Sequence, residues 1–246
     1  MPRRTSDFAP QQDVSEVRDP RSDGQIPLLY YITDRTAFPG DESTRRRRLL
    51  EKIAEAASAG VNFVQLREKD LPGRELEQLA TQAIKVIAET KKARTGSELA
   101  ETALLINSRT DVALATGAAG VHLRSEDLKP EGVMAIWKHS NCKLSPKTPT
   151  ISVSCHSPRE VAEAVAGGAD LAILAPIFGK KDAPGARPVG LPDLREACNN
   201  NIRVLALGGI TLESARSCLE AGASGIAAIR LFQENNIAAI VRELGR

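Results

Sequence analysis

Eight short apolar runs, each set off from the next by a longer stretch, constrain this chain more than any other feature. They are LLYYIT (28–33), VNFVQL (61–66), ALLI (103–106), AGVHL (119–123), TISVS (150–154), LAILA (171–175), RVLAL (203–207) and GIAAI (225–229). The runs are continuously apolar rather than alternating, which is the pattern of parallel strands covered on both faces. Most intervening stretches have helical spacing. Leu49, Ile53 and Ala57 share one face of STRRRRLLEKIAEAASAG, which Gly60 ends. GRELEQLATQAIKVIAET and SPREVAEAVAGGA behave alike, and TLESARSCLEAGA opens on a capping Thr211 and closes on Gly222. The words AASAGVNF, AVAGGADL and LEAGASGI end three helices in the same way, so one β-α unit is used repeatedly.

Eight strand–helix units predict a single (β/α)₈ barrel over residues 26–246. The rival, a doubly wound open sheet, usually carries a glycine fingerprint after its first strand, and YYITDRTAFPGD has none. KKARTGSELAET reads as a long polar linker, and residues 1–25 as a flexible extension without the apolar segment of a secretory signal.

Composition narrows the function. Of the 246 residues 33 are basic and 31 acidic, a balance that argues against nucleic acid as partner. No run reaches the length of a membrane span. Cys142, Cys155, Cys198 and Cys218 form no CxxC pair, which fits a reduced, cytoplasmic protein, with Cys155 as a small buried filler. Aromatics make up only 3 %, so the core is expected to be Ala, Val, Leu and Ile.

In a (β/α)₈ barrel the strands reach the active face at their C-terminal ends. The second run leads into VQLREKD, where Gln65, Arg67 and Lys69 are hydrogen-bond donors and two are cations. That set implies an oxygen-rich anion such as phosphate or pyrophosphate. The plainer alternative is a solvated strand end in which Arg67 and Lys69 pair with Glu68 and Asp70. Other strand ends supply Asn107, Ser108 and Arg109; His122, Arg124, Glu126 and Asp127; Ser154 and His156; and, after the sixth, Lys180, Lys181 and Arg187. Asp127 reads either as a ligand or as a helix N-cap, and His122 as a core histidine with one satisfied nitrogen. Gly208-Gly209 and Ile229-Arg230, each ahead of a helix, fit a phosphate cup of backbone N–H groups.

Taken in order, YYITDR, VQLREKD, LLINSRTDVALATGAAGVHLRSEDL, SVSCHS, GGADLAILAPIF, ALGGIT and GASGIAAI resemble thiamine phosphate synthase and its sister branch, the thiazole tautomerases, over about residues 28–232. The resemblance implies a transferase that joins hydroxymethylpyrimidine pyrophosphate to a thiazole phosphate with loss of pyrophosphate. It implies that Gln65, Arg67, Lys69 and Asn107 serve the pyrophosphate-bearing substrate, that Ser154 lies near the pyrimidine, and that Gly209 and Ile229 hold the thiazole phosphate. It also implies Mg²⁺ at Asp127, and pairing of two copies through exterior helices. Three positions depart from the family pattern: Ser108 stands where a second metal-binding Asp is usual, GKKDAPGAR replaces a Thr-x-Thr-Lys stretch, and Arg230 replaces a serine. These departures keep two alternatives open. One is a tautomerase of carboxythiazole phosphate with His156 as its acid–base; the other is a barrel that binds a thiamine precursor without turnover.

Overall fold

The computed structural model describes residues 26–93, 101–140, 142, 144–179 and 188–245. Eight parallel strands close into a barrel in chain order: β1 (Leu28–Ile32), β2 (Phe63–Leu66), β3 (Ala103–Asn107), β4 (Gly120–Leu123), β5 (Thr150–Cys155), β6 (Leu171–Leu174), β7 (Arg203–Leu207) and β8 (Gly225–Ala228). Each apolar run holds one strand, offset by a residue or two. Because β1 pairs with both β2 and β8 in parallel, the sheet has no free edge and all eight C-terminal ends lie on one rim.

Strand alternation divides the apolar residues between two cores. Tyr30, Phe63, Leu105, Leu171, Ile173, Leu205 and Ala227 fill the barrel. Leu29, Tyr31, Val64, Leu104, Ile106 and Ile151 face outward into the helical layer. Truncating one of these fully buried leucines to alanine costs about 2–5 kcal/mol. Aliphatic residues dominate as expected, yet Tyr30, Tyr31 and Phe232 are among the largest wholly buried side chains. Cys155 is buried between β5 and its covering helices, and burial pushes its thiol up to about 12, so it is inert filler.

Among the described residues the helices are α1 (Glu42–Ala59), α2 (Gly73–Ala93), α3 (Thr110–Thr116), α4 (Pro130–His139), α5 (Pro158–Ala166), α6 (Gly190–Ala197), α7 (Leu212–Glu220), α8 (Arg230–Gln233) and α9 (Ile237–Glu243). The Asp41 carboxylate accepts the Thr44 N–H at 2.8 Å to start α1, and Thr211 forms a capping box with Ser214 to start α7. The expected KKARTGSELAET linker is helical at its start, since α2 continues through Ala93; residues 94–100 lie outside the described set, as does the 1–25 extension. After β8 the chain makes the single turn of α8 before α9 closes the outer layer.

Candidate functional site

The acids and bases of VQLREKD part company at the end of β2. Glu68 is buried, and its carboxylate accepts from the Thr33 hydroxyl at 2.5 Å, the Arg35 backbone N–H at 3.0 Å and Arg35 Nη1 at 3.2 Å. Burial pushes the Glu68 carboxyl up, while the Thr33 and Arg35 bonds pull the other way. Arg35 grips both Asp70 oxygens at 2.7 Å and donates to Glu42 at 2.8 Å. Glu68 and Asp70 are thus taken by Arg35 in the β1–α1 loop, which corrects the solvated-strand-end alternative as it concerned these two acids. Arg67 is half-buried and Lys69 exposed on the rim.

Gln65 lies deeper and is only 1 % exposed. It starts a directed line of hydrogen bonds across β2, β3 and β4. Gln65 Nε2 donates to Asn107 Oδ1 at 2.8 Å, Asn107 Nδ2 to Ser108 Oγ at 3.0 Å, and Ser108 Oγ to Asp127 Oδ2 at 2.6 Å. Arg124 closes the line: its backbone N–H reaches Asp127 Oδ2 at 2.7 Å, its Nη2 reaches Oδ1 at 2.9 Å, and its Nε reaches Ser108 Oγ at 2.9 Å. Ser108 is the one non-glycine residue with positive φ, 62°, among those described, and this turn points its hydroxyl at Asp127. Burial would push the Asp127 carboxyl up, but the bonds from Arg124 and Ser108 outweigh it and hold the group below the usual carboxylate range. Asp127 is not a helix N-cap, because α4 starts three residues later behind Lys129. Gln65 Oε1 is a buried acceptor without a partner.

Below this line a second network fills the barrel. His122 Nδ1 meets Ser152 Oγ and His122 Nε2 meets Ser154 Oγ, both at 2.8 Å, and Ser152 Oγ meets the Tyr30 hydroxyl at 3.0 Å. Both ring nitrogens are therefore satisfied, where the sequence led us to expect one. Burial lowers the His122 pKa to about 4; Asp127 opposes this and the charges of Arg67 and Arg124 add to it, so the ring is neutral near pH 7. His156 follows β5 on the rim. Its Nδ1 contacts the Ala175 carbonyl at 2.7 Å, and since a carbonyl only accepts, Nδ1 carries a proton and donates it there.

The opposite side of the rim is built from main chain. Gly208 and Gly209 have φ of 102° and 67°. A Cβ on Gly208 would lie 2.8 Å from Pro176 Cα, and one on Gly209 2.9 Å from Phe178 Cβ, so side chains are excluded by both conformation and space. Next to them, Ile229 precedes α8 and Arg230 opens it. Gln233 fixes this turn: its Oε1 accepts from the Tyr31 hydroxyl at 3.0 Å and its Nε2 donates to the Asp34 carbonyl at 2.6 Å. Lys180, Lys181 and Arg187 lie outside the described residues.

The structure thus brings Gln65, Arg67, Lys69, Asn107 and Asp127 together at the C-terminal ends of β2–β4, with Ser154 and His156 beside them at the end of β5 and Gly208, Gly209, Ile229 and Arg230 on the same rim. A cleft of about 210 Å³ opens among Glu68, Lys69, Asn107, Ser108, Arg109 and Arg124. The part of Arg124 escaped the sequence reading, although an arginine just past a strand with an acid three residues on was a visible signal. Those of Arg35 and Gln233 depend on contacts across the barrel that no local pattern carries.

Known proteins carry this order of motifs on this barrel. The family model for thiamine monophosphate synthase matches residues 29–232. The chain belongs to that family. A thiamine-phosphate synthase of Methanoculleus marisnigri is 35 % identical over 221 residues, covering 88 % of this chain and 92 % of that one. One from Clostridium acetobutylicum is 34 % identical, covering 82 % and 84 %. The solved thiamine phosphate pyrophosphorylase of Pyrococcus furiosus superposes with a TM-score of 0.69 at 29 % identity, covering 89 % of this chain and 94 % of that one. As a member of the thiamine monophosphate synthase family the chain is an enzyme of the transferase class.

Proposed function

We propose that this family member joins hydroxymethylpyrimidine pyrophosphate to a thiazole phosphate, forming thiamine phosphate and releasing pyrophosphate. The observation that carries the reading is the placement of Arg67, Lys69 and Asn107 on the same rim as Gly208-Gly209, so one substrate pair spans the barrel mouth. The bond that breaks joins the pyrimidine methylene to a pyrophosphate oxygen, which keeps the electron pair. The cations of Arg67 and Lys69 stabilise the charge that develops there. The thiazole ring nitrogen then donates its lone pair to the methylene carbon. Main-chain N–H groups near Gly209 and Ile229 hold the thiazole phosphate, with Arg230 adding charge beside them.

Gln65 gives one amide N–H to Asn107 and leaves its buried Oε1 open, and that oxygen suits an N–H of the pyrimidine. Ser154 is held by neutral His122 at the same depth. His156 presents Nε2 at the rim and sits close enough to β5 to order water or substrate there. The residues around Asp127 fit a magnesium ion poorly, because its carboxylate is bound to the Arg124 guanidinium and the Ser108 hydroxyl has both acceptor positions filled. Free cysteines suit a cytoplasmic enzyme, and no described helix is long and apolar enough to cross a membrane. Two copies paired through exterior helices complete the proposal, to be read by light scattering.

The test is a two-substrate assay that follows both products. Thiamine phosphate and pyrophosphate appearing in equal amounts is the expected result. Isomerised carboxythiazole phosphate with no coupling would assign the tautomerase activity instead. Ligand binding without any product would leave a precursor-binding barrel.

A further inference from the structure

Resting on the reading of the β2–β4 rim as the leaving-group site, we propose that Arg124 takes the place of a divalent cation, so that this chain holds a diphosphate anion on a fixed guanidinium and needs no metal to do so. Hydrogen bonds use both lone pairs of Asp127 Oδ2 and one of the two on Oδ1, which leaves a metal a single site on this carboxylate. Asp127 Oδ2 accepts from the Ser108 hydroxyl at 2.6 Å and the Arg124 N–H at 2.7 Å, and Oδ1 accepts from Arg124 Nη2 at 2.9 Å. The Ser108 oxygen, besides donating to Asp127, accepts from Asn107 Nδ2 at 3.0 Å and from Arg124 Nε at 2.9 Å, which fills both its acceptor positions. Magnesium demands a near-ideal octahedron and is held by carboxylates together with substrate phosphates; here the carboxylate is already bound to a guanidinium and its neighbour is a neutral hydroxyl. Among the described residues no group of three or more His, Cys, Asp or Glu is placed to hold a metal ion. A dication at Asp127 would also have to displace the guanidinium and remain beside it.

The geometry that disfavours a metal equips Arg124 for its job. Its side chain is 47 % exposed while Asp127 is 11 % exposed, so the buried carboxylate orients a cation that still faces outward. It borders the same cleft as Lys69, Asn107 and Arg109. A planar guanidinium offers a diphosphate two parallel N–H donors, and pre-orientation by Asp127 and Ser108 lowers the entropy lost on binding.

Calorimetry with inorganic pyrophosphate and the full chain tests this, in EDTA and again with excess Mg²⁺. The dissociation constants are expected to agree within about threefold, and Arg124→Ala to weaken binding in EDTA by about tenfold or more. The double variant Ser108→Asp/Arg124→Ala restores a second carboxylate, at a φ that aspartate tolerates, and should bind about tenfold or more tightly once Mg²⁺ is added. Wild-type binding that needs Mg²⁺ would overturn the inference and leave the leaving-group site standing. Undiminished binding by Arg124→Ala, or a double variant indifferent to Mg²⁺, would overturn it too. No binding in either buffer would sink the leaving-group site itself.

Discussion

The rim after β2–β4 and the rim after β7–β8 are made of different materials. The first is built from side chains: Arg67, Lys69, Asn107 and Arg124 reach the mouth from strand ends, and Asn107 and Arg124 are held there by Gln65, Ser108 and Asp127. The second is built from main chain, where Gly208 and Gly209 turn through positive φ against Pro176 and Phe178. A side-chain surface can be retuned by one substitution, as Ser108 illustrates. A backbone surface is insensitive to identity except where a Cβ will not fit. Under the proposed coupling, the chemistry of the departing group falls to the first rim and the recognition of a phosphate ester to the second.

Removing one cation from the side-chain rim should have the largest effect. Arg67→Ala is expected to lower kcat/KM for coupling by about 100–1000-fold, the loss typical of one charge-stabilising donor, with the thermal midpoint unchanged within about 2 °C. A loss of activity explained by unfolding would break the comparison.

The neutral histidine beneath that rim gives the next effect. The His122 pKa is about 4 in the fold, so the unfolded chain binds the extra proton. Its contribution is complete above about pH 6.5 and disappears as pH falls toward 4, up to about 3 kcal/mol. Urea denaturation across that range should show the loss, and His122→Gln should flatten the slope whatever its effect on stability at neutral pH.

Neighbours in one strand end should separate cleanly. Glu68→Ala strips the acceptor from the Thr33 hydroxyl and from Arg35, and is expected to cost about 2 kcal/mol in chemical denaturation. Remaining folded enzyme should keep its KM for the pyrimidine substrate, unlike Arg67→Ala.

The smallest effect belongs to the backbone rim. Gly209→Ala places a Cβ 2.9 Å from Phe178 Cβ at a φ of 67°. Its KM for thiazole phosphate should rise about tenfold, near 1.4 kcal/mol, while KM for the pyrimidine pyrophosphate stays within about twofold.

The unequal materials also explain what the sequence revealed. Strands covered on both faces leave continuous apolar runs, so β1–β8 were legible nearly to the residue, and parallel closure then put every strand end on one rim. VQLREKD and the Gly-Gly pair announced themselves because charge and glycine are out of place at the end of an apolar run. Partnership was not legible. Arg35 takes Glu68 and Asp70 from 33 and 35 residues away, and Gln233 reaches back to Tyr31 over 202 residues. Asp127 read as a ligand or a helix N-cap because the three-residue turn that folds Arg124 onto it depends on Ser108, across β3 and β4, for its third corner.

The division of labour between the rims is most directly tested by a crystal structure with thiamine phosphate and pyrophosphate bound together. The account expects pyrophosphate oxygens within hydrogen-bond distance, about 3.5 Å or less, of the Arg67 guanidinium, and the thiamine phosphate ester against the Gly208-Gly209 main chain. Pyrophosphate seated on the glycine pair, with Arg67 touching neither product, would contradict it.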